Sequence, residues 1–218
     1  MKKILLATVL LGSSLAQAMP TVGSSVMGEI VQSTHAGNVV VPLPSGSWTI
    51  VYEGQFDGPR MQRAGLDVTG YFGEASNQFE ELVLIQADGN TLKSILEIKY
   101  NITNDLKTYS DNLCSNQPMY FRDNYGTKFW NQRCLEINIT GDSIASDVSL
   151  KAQRVRSYVA SKHMVLPGTW IAMEYGQYDR DGKRVDVKLF DNRPIQEGMT
   201  QYVDFAKRYA EDISSKFR

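Results

Sequence analysis

Residues 43–57 read LPSGSWTIVYEGQFD, and residues 166–179 repeat much of this pattern as LPGTWIAMEYGQYD. Both stretches begin with a proline-glycine turn, pass through a tryptophan and an apolar run, and lead to an Asp-Gly turn and a second apolar run. That order of turns and apolar runs is typical of a β-hairpin. The segments 43–72 and 166–190 therefore predict two related hairpins, which arose either by duplication or independently.

Strand patterns also fill the chain between these two segments. Residues 79–87 and 92–100 flank an Asp-Gly-Asn turn, and residues 119–122 and 128–139 flank a second turn rich in Asp, Asn and Gly. Apolar and polar residues alternate along 95–100, which is typical of a strand with one buried face. We expect the hairpins to join into one antiparallel sheet of about six to eight strands, the size usual for such sheets.

Two further segments have the period of amphipathic helices. Residues 198–217 form one of them, and Asp142 or Ser143 can cap the start of the other, residues 143–162. Because strands and helices do not alternate strictly, the order indicates an α+β fold with both helices packed on the sheet. The apolar stripe of the first helix consists of Ile144, Val148, Ala152, Val155 and Val159.

The first 18 residues have the pattern of a secretory signal peptide, with two lysines, a short apolar run and Ala-Gln-Ala at the end. The apolar run is too short for a permanent membrane span, and no later segment is long and apolar enough for one. We predict that residues 19–38 form an extended lead-in and that residues 39–218 form a single domain. The expected localisation is periplasmic or secreted, with no transmembrane segment.

The charge of the chain argues against a nucleic-acid partner. The sequence has 23 basic and 24 acidic side chains, and loss of Lys2 and Lys3 with the signal peptide would bring the net charge to −3. Nucleic-acid binding needs a dense basic surface that replaces the counterions of the phosphates. The sequence contains no run of Lys and Arg that could supply such a surface.

The two cysteines, Cys114 and Cys134, lie in the part of the chain that would be exported, where disulfides form and persist. A disulfide between them would remove about 3 kcal/mol of unfolded-state entropy. Two free thiols are the alternative. The only histidines, His35 and His163, are not close to the cysteines in sequence, so we predict neither a metal site nor a cofactor.

Aromatic side chains are concentrated in the segment that the cysteines enclose. A disulfide-closed loop rich in tyrosine and tryptophan can present a rigid contact area to a glycan, a lipid or a protein. The same side chains could instead pack beneath the hairpin. The candidate contact residues are Tyr120, Phe121, Tyr125, Phe129 and Trp130.

Enzyme motifs are scarce. The sequence has no Gly-x-Ser-x-Gly motif, and Ser110-Asp111-Asn112 lacks the Ser-x-x-Lys partner that it has in penicillin-binding enzymes. Carboxylates recur near the two related hairpins, and a glycosidase needs two of them at one bond. These carboxylates are Glu53, Asp57, Asp67, Glu174, Asp179 and Asp186.

These observations favour a non-enzymatic, exported binding or accessory protein of the periplasm. Its expected partner is a component of the cell envelope or another protein, because the chain combines export, a disulfide and an aromatic loop. One alternative is an envelope hydrolase that uses the paired carboxylates. Another is a carrier whose curved sheet and aromatic C-terminal helix line a pocket for a small apolar ligand.

Overall fold

The computed structural model describes residues 21–34, 37–57, 78–103, 113–114, 117–125, 132–141, 143–179, 183–192 and 198–217. Within these ranges the chain forms ten strands and three helices. The strands are β1 (Ser25–Val26), β2 (Glu29–Thr34), β3 (Gly37–Pro42), β4 (Trp48–Asp57), β5 (Gln78–Asp88), β6 (Thr91–Asn101), β7 (Phe121–Asn124), β8 (Gln132–Thr140), β9 (Trp170–Tyr178) and β10 (Arg184–Asp191). The helices are α1 (Ser143–Ser146), α2 (Leu150–Ser161) and α3 (Met199–Lys216).

Eight strands form one antiparallel sheet in the order β1-β4-β5-β6-β10-β9-β8-β7, and β2 and β3 form a separate antiparallel pair. The prediction of an α+β chain dominated by an antiparallel sheet is therefore confirmed. The expected Asp-Gly-Asn hairpin is present, since β5 and β6 pair as far as Asp88 and Thr91. Gly89 in its turn has a φ of 56°, which glycine adopts at little cost.

Successive side chains of a strand point to opposite faces of a sheet. One face, here called the α3 face, packs against α3 and the β2–β3 hairpin. Several side chains of α3 are fully buried against this face of the sheet, and they form part of the larger of the two apolar clusters. The α3 side chains with at most 1% of their surface exposed are Tyr202, Ala206, Ala210 and Ile213.

The opposite face, here called the α2 face, is apolar near one end of the sheet. Val155 and Val159 of α2 pack there against Ile95 and Phe190 of the central strands. Trp170, at the start of β9, belongs to the same apolar cluster. Further along the same strands, this face carries charged residues instead.

The first predicted helix is interrupted, so the described chain has three helices where the sequence suggested two. Val148 falls between α1 and α2 and is 83% exposed, so it does not belong to a continuous apolar stripe. Ser149 caps α2, because its hydroxyl accepts a hydrogen bond from the Ala152 backbone N–H at 3.3 Å. The Ser149 backbone N–H in turn donates to the Asp147 carboxylate at 2.7 Å.

Arg156 stabilises this interruption from the next turn of α2. Its guanidinium donates to the backbone carbonyl oxygens of Ile144 and Asp147, at 2.6 and 2.7 Å. These carbonyls would otherwise lack partners where α1 ends. The caps expected at Asp142 and Ser143 concern side chains outside the described part of the chain. The other predicted helix agrees with α3, which begins at Met199 and ends at Lys216.

The two related sequence segments occupy different environments. β9 and β10 form the hairpin expected at 166–190, with Arg184 opposite Tyr178. β4 begins at Trp48 and pairs with β5, whereas the remainder of its expected hairpin, 58–72, lies outside the described residues. Trp48 packs on the α3 face and Trp170 on the α2 face. The origin of the two segments by duplication remains a prediction.

The N-terminal predictions fall partly outside the described chain. The signal peptide expected at 1–18 lies outside it, as does His35. Part of the expected lead-in forms β1 and β2, and β2 packs on the α3 face through Ile30. None of the helices in the described ranges is both long and apolar enough to cross a membrane.

Candidate ligand-binding site

The predicted disulfide is present. Cys114 and Cys134 are bonded, with their Cα atoms 5.4 Å apart. Cys134 lies on β8 and points to the α2 face, so the bond holds the 113–114 segment against that face. Leu113 packs over Gly176 of β9, where an added Cβ would lie 3.5 Å from a Leu113 methyl carbon and 3.2 Å from the Asp186 carboxylate. The glycine therefore allows both side chains to approach the strand.

Beside this segment, the α2 face forms a cavity of about 360 Å³, here called the charged basin. Five strands and α2 contribute its charged side chains, and Phe56 of β4 and the disulfide also line it. Its carboxylates are Glu81, Glu97, Glu136, Glu174 and Asp186, and its cations are Lys99, Lys151, Arg184 and Lys188.

The register of the sheet brings these charges together. In one row across the strands, Lys99 lies between Glu81 and Asp186. In the next row, Lys188 lies between Glu97 and Glu174. Opposite charges on directly facing residues stabilise a sheet, so the register and the charge pattern support each other.

Lys151 connects α2 to the basin. Its ammonium bonds to the Glu81 carboxylate at 2.8 Å and to the Glu97 carboxylate at 2.7 Å. The two carboxylates hold the pKa of Lys151 above its ordinary value, although burial acts in the opposite direction. Burial raises the pKa of Glu97, and the charge of Lys151 opposes that rise. The bridge fixes the start of α2 over β5 and β6.

Most other charges of the basin are also paired. The Arg184 guanidinium makes two bonds to the Asp186 carboxylate, at 2.9 and 3.1 Å. Lys188 and Glu174 approach to 2.5 Å. Glu136 accepts a bond of 2.7 Å from Arg122 of β7. The basin therefore contains many fixed donors and acceptors with little net charge.

Lys99 differs from the other cations. Its ammonium lies 5.2 Å from the ring centre of Phe56 and 4.7 Å from that of Phe79. Within the described part of the chain, no hydrogen bond or ion pair to this ammonium is present. Burial lowers the pKa of Lys99, and the charges of Asp186 and Glu81 only partly offset this.

The structure separates the aromatic residues that the sequence singled out. Tyr120 is 56% exposed, whereas Phe121 and Tyr125 are half-buried against the core of the α3 face. Phe129 and Trp130 lie outside the described residues. Phe121 and Tyr125 are thus in contact with the core, and the role of these residues as a contact surface stays a prediction.

Tyr125 also lines a second cavity, of about 700 Å³, between α3 and the segment 42–45. The Arg133 guanidinium lies 5.0 Å from the centre of the Tyr125 ring. Burial, together with the Asp123 carboxylate, raises the pKa of Tyr125 to about 12. The aromatic ring is thus held in place between β7 and α3 and keeps its hydroxyl proton at neutral pH.

The carboxylates expected at the related hairpins divide between the two faces. Glu174 and Asp186 lie in the charged basin, whereas Glu53 points to the α3 face, where burial and Glu80 raise its pKa. Asp179 accepts a bond from the Lys183 backbone N–H at 2.9 Å, as a turn residue does. Asp57 is exposed at the end of β4, and Asp67 lies outside the described chain.

Sequence reasoning missed most of the basin. The signal that could have revealed it is the presence of charged residues at alternate positions of otherwise apolar strands. The same alternation is typical of any strand with one face in solvent. Only the strand order shows that the charged residues of these strands lie in one cavity. The missed residues are Glu81, Glu97, Lys99, Glu136, Lys151, Arg184 and Lys188.

One group of potential metal ligands occurs in the described residues. The ligand atoms of Cys114, Cys134 and Glu136 lie within 4.8 Å of one another. Because the disulfide uses both sulfur atoms, neither cysteine offers a thiolate, and the group retains a single carboxylate.

Comparisons of the chain with protein-family models, with curated proteins and with solved structures found no match.

Proposed function

We propose that this chain is an exported, non-enzymatic binding or accessory protein that holds a polar component of the cell envelope in the charged basin. The observation that supports the proposal most is the internal pairing of the basin's charges. Apart from Lys99, the cations that line the described basin have a carboxylate oxygen between 2.5 and 2.9 Å away. Such a satisfied network is rigid and offers fixed hydrogen-bonding groups to a ligand.

The size and composition of the basin fit a hydroxyl-rich ligand, such as a segment of an envelope glycan. Its volume of about 360 Å³ falls within the range of small-molecule sites. Hydroxyl groups can donate to the carboxylates and accept from the cations, and Phe56, 38% exposed, offers a ring to the apolar side of a sugar. The signal-like segment at 1–18 and the disulfide support export.

Calorimetric titration with solubilised envelope saccharides tests the proposal. We expect the wild type to bind the saccharides and Glu174→Ala to bind them more weakly. The variant lacks the Glu174 carboxylate, and its Lys188 loses the partner that fixes its position. The matched control is Glu211→Ala, which removes an exposed carboxylate on α3, away from the basin. Equal binding by both variants and the wild type, or no binding at all, would contradict the proposal.

A glycosidase is the second candidate, and it would use the same basin. Glu174 and Asp186 line one cavity together with Glu97, whose pKa is raised by burial. A glycosidase combines a carboxylic acid that donates a proton with a second carboxylate at the same bond. Glu97 would be the acid, because burial raises its pKa although Lys151 bonds to it.

Product analysis distinguishes the two candidates. New reducing ends that form with the wild type, and are lost in Glu97→Gln, would support hydrolysis. Saccharide binding without new reducing ends would support the binding protein. Glu211→Gln serves as the control, because this change leaves the basin intact.

A protein partner would contact the surface around Tyr120, which is the exposed residue among the described candidate contact residues Tyr120, Phe121 and Tyr125. We expect Tyr120→Ala to reduce recovery of that partner from envelope extract. Met27→Ala, at an exposed apolar residue elsewhere, is the control. Unchanged recovery with Tyr120→Ala would reject this surface as the contact.

A further inference from the structure

The Lys99 ammonium lies in the charged basin over the rings of Phe56 and Phe79. The described part of the chain supplies it with no hydrogen-bond acceptor. An ammonium group has three donors, and it is costly to keep a partly buried charge without a partner. Ring faces attract a cation but do not accept its hydrogen bonds in the way that an oxygen does.

The nearest carboxylates are already engaged. Glu81 and Asp186 face Lys99 from the two neighbouring strands, but Glu81 bonds to Lys151 and Asp186 bonds to Arg184. An anionic group of a ligand could therefore bind Lys99 without displacing a protein carboxylate. The positive charges of Arg184 and Lys151 also act on Lys99 and would favour an anion beside it.

The same charges limit how negative the ligand can be. Five carboxylates line the basin, so a ligand with several negative groups would be repelled by most of it. A ligand with a single anionic group could pair that group with the Lys99 ammonium. The remainder of the ligand would meet paired donors and acceptors, which suit hydroxyl groups.

We infer that the ligand of the charged basin is a hydroxyl-rich molecule with a single carboxylate, of the uronic-acid class, and that Lys99 binds this carboxylate. This inference rests on the proposed binding function and specifies its ligand class. The Lys99 ammonium would donate hydrogen bonds to the carboxylate oxygens, and the rings of Phe56 and Phe79 would keep water from the other side of the ammonium.

The experiment compares three probes by calorimetric or NMR titration of the purified protein: D-glucuronate, D-glucose and inorganic phosphate. D-glucose has the hydroxyl groups without the carboxylate, and phosphate has the anion without the sugar. We expect glucuronate to bind roughly tenfold more tightly than glucose, equivalent to about 1.4 kcal/mol. Phosphate should bind more weakly than glucuronate.

Variants assign this preference to Lys99. Lys99→Met should bind glucuronate no better than glucose, whereas Lys99→Arg should retain the preference because it retains the charge. The matched control is Lys93→Met, which removes an exposed lysine of the same strand outside the basin. Circular dichroism of each variant establishes that it is folded.

Several results would overturn the inference. If glucose and glucuronate bind the wild type equally, Lys99 does not select an anion, although the proposed binding function stands. A preference that survives in Lys99→Met would also reject the role of Lys99. Phosphate binding as tight as glucuronate binding would reject the sugar class. If none of the probes binds, the uronic-acid ligand is rejected, whereas titration with envelope saccharides still tests the proposed function.

Discussion

The two halves of the α2 face are built from the same strands and differ in what covers them. Under α2, β6 and β10 contribute Ile95 and Phe190 to an apolar cluster. Beyond the helix, β6 contributes Lys99 and β10 contributes Asp186 to the charged basin. On this face, each of these two strands changes from apolar to charged residues at the point where α2 no longer covers it.

The length of α2 explains why the cover is partial. A helix of 12 residues is about 18 Å long, and the two longest strands have 11 residues each, or about 36 Å. Lys151, at the start of α2, reaches the first charged residues at the boundary. The apolar half is therefore buried beneath α2, whereas the charged half lines a cavity that α2 does not cover.

Removing one large side chain from each half gives the sharpest contrast. Trp170 is almost fully buried in the apolar half, so Trp170→Ala should lower the free energy of unfolding by about 3–5 kcal/mol. Glu174→Ala in the charged half should cost less than about 1 kcal/mol, since the Glu174 ion pair is partly exposed. Chemical denaturation measures both, and equal losses would remove the distinction between the halves.

Removal of the disulfide tests whether the 113–114 segment shapes the charged half. The double variant Cys114→Ser, Cys134→Ser should lower the free energy of unfolding by about 3 kcal/mol, because the unfolded chain regains the entropy of an open loop. Denaturation of the wild type with and without reductant is the companion measurement. A loss of stability without any change in saccharide binding would show that the 113–114 segment does not shape the basin.

The boundary between the halves depends on Lys151. Lys151→Met removes the ammonium that bonds to both Glu81 and Glu97, and should cost about 2 kcal/mol near neutral pH. In the wild type the pKa of Lys151 is raised above 10.5, so its contribution is present below pH 10.5 and is lost as the pH rises through the folded-state value.

Denaturation of wild type and Lys151→Met from acid to alkaline pH measures this contribution. The deficit of the variant should shrink as the pH falls through the raised pKa of Glu97, because the protonated carboxyl no longer repels its neighbours. A deficit that is the same at all pH values would mean that Lys151 acts through packing alone.

Lys99→Met should have the smallest effect on stability, within about 1 kcal/mol near neutral pH, because lost ring contacts and a relieved desolvation penalty oppose each other. The folded-state pKa of Lys99 is lowered, so the unfolded chain binds more protons between that value and pH 10.5. The wild type should therefore gain stability relative to Lys99→Met as the pH rises through this window.

The charges that face Lys99 set the size of this gain. Asp186 and Glu81 from the adjacent strands raise its pKa, while Arg184 and Lys151 lower it along with burial. Stability curves for the wild type and the variant across the alkaline range provide the measurement. Parallel curves would show that the Lys99 ammonium is as well solvated as in the unfolded chain.

The sequence predicted β5, β6, β9 and β10, because their turns contain Asp and Gly and they begin or end at recognisable turns, whereas β1 and β2 lie in the segment expected to be an extended lead-in. The interruption after α1 was missed because Val148 fits the helical period. Only the competing bonds of Asp147 and Ser149 show that the chain prefers a new cap there.

The basin could not be predicted because it depends on strand order. β10 lies between β6 and β9, so Lys99 faces Asp186 although 87 positions separate them in sequence. A single sequence shows the alternation of apolar and charged residues within each strand, but it does not show which strand lies beside it in the sheet. The aromatic loop could be recognised because its residues are close together in sequence. This closeness did not show that Tyr125 packs against the core of the α3 face.

Amide chemical-shift mapping during titration with solubilised envelope saccharides shows directly whether the ligand binds in the charged basin. We expect the largest changes in β6, β9 and β10 around Lys99, Gly176 and Asp186, with little change along α3. Changes centred on Tyr125 and Phe205, at the cavity beside α3, would show that the ligand binds the opposite face and would contradict the assignment of the charged basin.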